Sequence, residues 1–114
     1  MQYKNLFSPI KVGNTVIKNR IALAPMGTRT STLDGCATDR LVTYLEERAK
    51  GGVGLIIPEF SAVRVGYSWI PSLGVHSDRL IPGLSRISDA VHNYGSTIIM
   101  QVAIHGGRAA SKVT

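Results

Sequence analysis

Arg48-Ala49-Lys50-Gly51-Gly52-Val53-Gly54-Leu55-Ile56-Ile57-Pro58 is the stretch that decides the fold. A polar helix end runs into a glycine pair that stops it, and an apolar strand closed by proline follows at once. The helix itself lies just upstream. Thr38 or Asp39 caps it. Leu41, Leu45 and Ala49, with Val42, share one face, while Glu46, Glu47, Arg48 and Lys50 make the other side polar. Residues 53–57 are continuously apolar, which reads as a strand buried on both faces.

The same unit repeats on either side. Toward the N-terminus, Arg20-Ile21-Ala22-Leu23-Ala24-Pro25 is another short apolar run closed by proline, followed by a Thr-, Ser- and Gly-rich loop over residues 27–36. Before it, the turn dipeptide Gly13-Asn14 joins two half-apolar runs into a small β-hairpin. Toward the C-terminus, residues 61–75 read as a long loop containing Gly66, Tyr67, Trp69, Pro71 and Gly74. A second helix begins near Asp78 to Pro82, carries Leu84, Ile87, Val91 and Tyr94 as its apolar stripe, and ends at Gly95. Residues 97–102 form a third strand, and His105-Gly106-Gly107-Arg108 follows it.

The order is hairpin, β, α, β, α, β, an α/β chain built from right-handed parallel βαβ units. Two architectures stay open on this pattern: a doubly wound open sheet, or a (β/α)8 barrel. A barrel takes about 250 residues. The 114 residues are therefore expected to be one truncated part, 1–114, of a larger domain. Standing alone, the outer strands would leave unpaired edges.

Composition narrows the function classes. A single cysteine, Cys36, excludes an intrachain disulfide and a thiolate metal cage, and it reads as a loop thiol with Arg40 one helical turn on. The net charge is +6, but the basic residues are scattered and no aromatic residues interleave with them, so a solvated surface is expected rather than a nucleic-acid interface. No apolar run reaches the roughly 18 residues of a membrane span, and no signal core opens the chain, so no membrane partner and a cytoplasmic address are expected. The dinucleotide fingerprint, the Walker loop, HExxH, GxSxG and paired-cysteine metal motifs are all missing, and no metal ligand set is assigned.

In either architecture the active groups gather where parallel strands end. Those ends carry Pro25-Met26-Gly27-Thr28, Pro58-Glu59-Phe60, and residues 101–108. At these positions and between them the chain resembles a known family. Leu6-Phe7-Ser8-Pro9-Ile10, Lys18-Asn19-Arg20, Ala24-Pro25-Met26, residues 48–57, Ile81-Pro82-Gly83-Leu84, Asp89-Ala90-Val91-His92 and Gln101 stand in the order typical of old yellow enzymes. The nearest look is to the branch of 2,4-dienoyl-CoA reductases, enoate reductases and bile-acid-modifying reductases.

The resemblance implies a (β/α)8 TIM barrel with FMN at the C-terminal rim and NAD(P)H as reductant. Hydride then passes through the flavin to the activated C=C bond of a small unsaturated molecule. Ala24, Pro25 and Met26 would lie along the isoalloxazine through their backbone. Gly27 stands where many relatives carry Thr, Cys or His, with Thr28 as a partial substitute. Phe60 takes a position usually Gly or Ala. Glu59 either supports the site or merely caps or pairs locally. Gln101 would offer its amide to the flavin pyrimidine edge, with a satisfied core glutamine as the other reading. Arg108 would shape the substrate mouth.

His105, His76 and His92 are given no catalytic role, and Tyr67 and Trp69 are read as loop packing. No catalytic residue is assigned. The substrate-gripping pair, the proton donor and the main phosphate site come later in the family's chains. So does the 4Fe-4S cysteine cluster of its longer members. The chain alone is expected to be inactive, and homo-oligomerisation is left open. The competing account is a non-enzymatic remnant or a half-barrel that self-associates through its open edges.

Overall fold

The computed structural model describes residues 2–64 and 71–104. A β-hairpin opens the chain, β1 (Ile10–Val12) against β2 (Thr15–Ile17), antiparallel with Val12 opposite Thr15 across the Gly13-Asn14 turn. β3 (Ala22–Leu23), helix α1 (Asp39–Lys50) and β4 (Leu55–Ile56) follow. Next come two short strands, β5 (Ser61–Ala62) and β6 (Leu73–Gly74). A 3-10 turn over Asp78–Leu80 leads into α2 (Ile81–His92), and β7 (Thr97–Ile98) and β8 (Val102–Ala103) close the described chain.

β3, β4 and β7 make one parallel sheet in that order, with Leu23 beside Ile56 and Ile56 beside Ile98. The two helices are the crossovers, packed on one face of this sheet. Leu41, Leu45 and Ala49 of α1 and Ile87 and Val91 of α2 are buried against Ile56 and Leu73, with Leu23 and Ile98 partly buried at the margin. Each fully buried Leu or Ile here contributes about 1.5–3 kcal/mol. The strands expected to be buried on both faces are covered on one. Leu23 turns toward the helices, while Ala22, its neighbour on β3, is exposed.

Within 61–75, the described residues 61–64 and 71–75 depart from the loop reading. β5 pairs in parallel with β6 on one side and β8 on the other, through Ser61 opposite both Leu73 and Val102. The second and third strands thus continue past Pro58 and Ile99 as a second small parallel sheet, and β6 joins it from the far side. Leu73 is fully buried and enters the main core. The predicted Tyr67 and Trp69 packing lies outside the described residues.

α1 begins where Thr38 accepts the Leu41 N–H, and it ends in a Schellman arrangement. The Val53 N–H reaches the Arg48 carbonyl at 3.3 Å and the Gly52 N–H reaches Ala49 at 3.0 Å, which requires φ +100° at Gly52. Asn19 fastens this turn to β3. Its Nδ2 donates to the Gly52 carbonyl at 2.7 Å, and its Oδ1 accepts the Ile21 N–H at 3.1 Å. A Cβ on Gly54 would collide with that side-chain oxygen. Replacing Asn19 by Ala strands a part-buried carbonyl and a part-buried N–H. Urea unfolding of the intact protein is expected to show a loss of about 1–3 kcal/mol, and Gly54→Ala to destabilise as well.

Candidate functional site

Parallel register brings the C-terminal ends of β3, β4 and β7 to one edge. From there the chain runs on as Ala24 to Thr28, as Pro58 to Phe60, and as Ile99 to Gln101. Ala24, Met26 and Gly27 are exposed, and Pro25 is half-buried. A Cβ added at Gly27 would meet nothing within 4 Å, so the backbone there is open to an approaching molecule. Phe60 is half-buried between β4 and β5.

Gln101 is exposed, and among the described residues its side-chain amide makes no hydrogen bond. The reading of it as a satisfied core glutamine does not hold. Its backbone is fixed instead, because the Gln101 carbonyl accepts the Ser61 N–H at 2.8 Å. Arg108 and His105 lie outside the described residues.

Behind this edge sits an acid. Glu59 is 2% exposed. Its Oε1 accepts from the Ser31 hydroxyl at 3.0 Å and from the Thr28 hydroxyl at 3.2 Å, and its Oε2 is buried without a partner. Its apolar surroundings include Leu23, Leu41, Leu45 and Tyr44. Burial among them raises the carboxyl above the ordinary glutamate range, and the Ser31 and Thr28 hydroxyls only partly offset that.

Thr28 is fully engaged. Its hydroxyl donates to Glu59, and its oxygen accepts the Thr30 N–H at 3.3 Å and the Thr30 hydroxyl at 2.7 Å. One donor and two lone pairs are all a hydroxyl has. Thr28 therefore cannot stand in for the side chain that Gly27 lacks. The network runs on to the helix, since the Thr38 hydroxyl that caps α1 donates to the Thr30 carbonyl.

Sequence reading passed over Thr30 and Ser31. The available signal was hydroxyls crowded between Gly27 and Thr32 in a loop that topology sets beside an acid. Cys36 is half-buried, and the cation that reaches its Sγ is Arg79 at 3.3 Å rather than the helical neighbour Arg40. Arg79 also pairs with Asp34 at 3.0 Å, an exposed bridge that contributes little. Among the described residues no cluster of His, Cys, Asp and Glu is arranged to hold a metal, and no helix is long and apolar enough to cross a membrane.

The model of the NADH:flavin oxidoreductase / NADH oxidase family matches residues 5–113. The chain belongs to that family. It is 42% identical over 108 residues to an NADH oxidase of Thermoanaerobacter brockii, covering 93% of this chain and 16% of that protein. In structure it superposes on a 2-naphthoyl-CoA reductase in complex with 2-naphthoyl-CoA with a TM-score of 0.88 at 32% identity, over 96% of this chain and 17% of that one. The old yellow enzyme of Trypanosoma cruzi gives 0.84 at 36% identity, over 96% and 29%. The chain thus spans well under half the length of these relatives. Its strands and helices are the opening βα units of the family's (β/α)8 barrel.

The raised Glu59 carboxyl has a signed consequence for stability. Below the ordinary glutamate range, about 4.3, acid is protonated in both folded and unfolded chains and costs nothing extra. As pH climbs from there to the raised folded value, the unfolded chain ionises first and stability falls. Glu59→Gln does not titrate. Its stability relative to wild type is expected to rise across that window by up to about 1.4 kcal/mol per pH unit, and to be flat below it, in denaturant melts over a pH series. A pH-independent difference would contradict the burial of an ionisable carboxyl.

Proposed function

We propose that the intact protein is an FMN-dependent oxidoreductase that uses NAD(P)H to reduce an activated C=C bond in a small molecule, and that residues 1–114 supply one side of its flavin site. The observation that carries this is the rim itself. Ala24, Met26 and Gly27 are exposed after β3, and the Gln101 amide, which has no partner among the described residues, follows β7; the two strands flank β4 in one parallel sheet, in a chain of the flavin oxidoreductase family. Ile99, Val102 and Ile104 are 48%, 59% and 63% exposed on these strands, which fits a barrel whose remaining strands cover them.

The residues present fit the cofactor. FMN, when bound, supplies the carrier that accepts hydride from a nicotinamide and delivers it to carbon. Gln101 offers a donor and an acceptor to a ring edge that carries both. Ala24, Pro25 and Met26 provide a stiff wall, since proline fixes its own backbone and restricts the residue before it. Gly27 admits the ring closely and leaves only its N–H as donor. Phe60 narrows the rim beside it. Arg108 offers a cation to an acidic group on the substrate.

The likeness to a 2-naphthoyl-CoA reductase supports the acyl-CoA and enoate branch of the family as the place to look for that substrate. Both the wall and the amide come from one arc of the rim, so the 114 residues by themselves do not hold flavin and substrate face to face.

The test is reconstitution of the intact protein with FMN, followed by NADPH or NADH oxidation dependent on an added enone or enoyl-CoA. Gln101→Leu is expected to raise the FMN Kd about tenfold, roughly the loss of one good hydrogen-bonded contact. Unchanged affinity would remove Gln101 from the site. The 114-residue chain with added FMN is expected to give no enone-dependent oxidation, and measurable turnover by it would refute the arc reading.

A further inference from the structure

We propose that Glu59 is a positioning residue for the flavin site, acting through Thr28 and Ser31 on the backbone of Met26 and Gly27. This rests on the flavin reading above. The segment after β3 is rich in glycine, threonine and serine and has no regular structure up to the start of α1. Such a segment has no intrinsic reason to hold one shape. Its later part is held by bonds among Thr32, Gly35 and Cys36 and by Thr38 on the Thr30 carbonyl, and its first part, next to Gly27, is held by one carboxylate oxygen. Glu59 Oε1 takes the hydroxyl hydrogens of both Thr28 and Ser31, and Thr28 in turn gathers Thr30. Gly27 is covalently next to Thr28 and has no side chain of its own to anchor it.

Glu59 has no ion-pair partner among the described residues, and its second oxygen, Oε2, is buried and unmet. A packing role alone would favour a side chain without that unmet atom. An acid kept in such a place, one step behind an exposed cofactor rim, is the pattern of a strained group retained for a site. The carboxyl does not touch the rim's open face. It fixes where the Gly27 N–H stands, a donor at a position whose own side chain is missing and whose neighbour Thr28 is saturated.

The experiment is FMN titration of the intact protein by flavin fluorescence quenching, with the visible absorption bands of bound flavin recorded for each variant and folding checked by circular dichroism. Glu59→Ala is expected to raise the FMN Kd about tenfold and to shift the bands, while Glu59→Gln, which keeps the accepting oxygen, stays within about twofold of wild type in both. The double variant T28V/S31A, which leaves the acid in place, is expected to reproduce the Glu59→Ala loss.

A folded Glu59→Ala protein with wild-type Kd and spectrum overturns the proposal. So does a Glu59→Gln protein as impaired as Glu59→Ala, because charge rather than the accepting oxygen would then matter. If Glu59→Ala does not fold, T28V/S31A decides, and an unchanged Kd and spectrum in it is fatal. Wild-type protein that takes up no FMN defeats the flavin reading first and this proposal with it, whereas failure of the Glu59 series in a protein that binds FMN defeats this proposal alone.

Discussion

Register between β3 and β4 is the constraint on which the rest depends. Leu23 stands beside Ile56 and faces the helices, so Ala22 must face away, and the mostly exposed run from Ala24 to Gly27 starts from that phase. Side chains along a strand alternate, and a slip of one residue would reverse every assignment. Leu23 would leave the core, and the exposed wall of the rim would be turned into the helix layer. Strands of two paired residues cannot hold a register against that by backbone bonds alone. Polar clamps hold it at either end. Asn19 ties the start of β3 to the α1–β4 turn, and Glu59 ties the end of β4 to the segment after β3.

The two clamps differ in cost. Asn19 has its donor and its acceptor both met by backbone groups, so its burial is satisfied. Glu59 leaves one oxygen unmet and has its carboxyl pushed up by burial. The end away from the rim is therefore held by a low-strain device and the rim end by a strained one. That division matches the general placement of stability and function in parallel barrels, with strain gathered at the C-terminal ends of the strands.

Much of this was legible in the residues, because period and punctuation carried it. The face Leu41, Leu45 and Ala49, the glycine stop after α1, the Gly13-Asn14 hairpin and the order of parallel units are all local signals. β5, β6 and β8 were not legible. Pairs of two residues carry no alternation, and β6 is added to β5 across a segment whose proline and glycines read as loop. The clamps escaped for another reason. Asn19 meets Gly52 and Glu59 meets Thr28 and Ser31 across some thirty residues of chain, and side-chain to backbone or hydroxyl bonds leave no periodic trace. The Gln101 alternatives were separable only by exposure, which depends on how β7 ends.

The loss of a side chain at Gly27 and the saturation of Thr28 belong together. A relative with a polar side chain at the first position can tune a bound ring through that group. Here no side chain hydroxyl, thiol or imidazole is free to do so between Met26 and Ser31, because every hydroxyl in the segment is committed to Glu59, to Thr30 or to Thr28. On the flavin reading proposed above, polar contact from this arc would come from a backbone N–H at one strand end and from the Gln101 amide at another. A backbone donor has fixed strength and can be adjusted only by moving it. In such a site, tuning passes from the residue that faces the cofactor to the residue that holds the backbone in place.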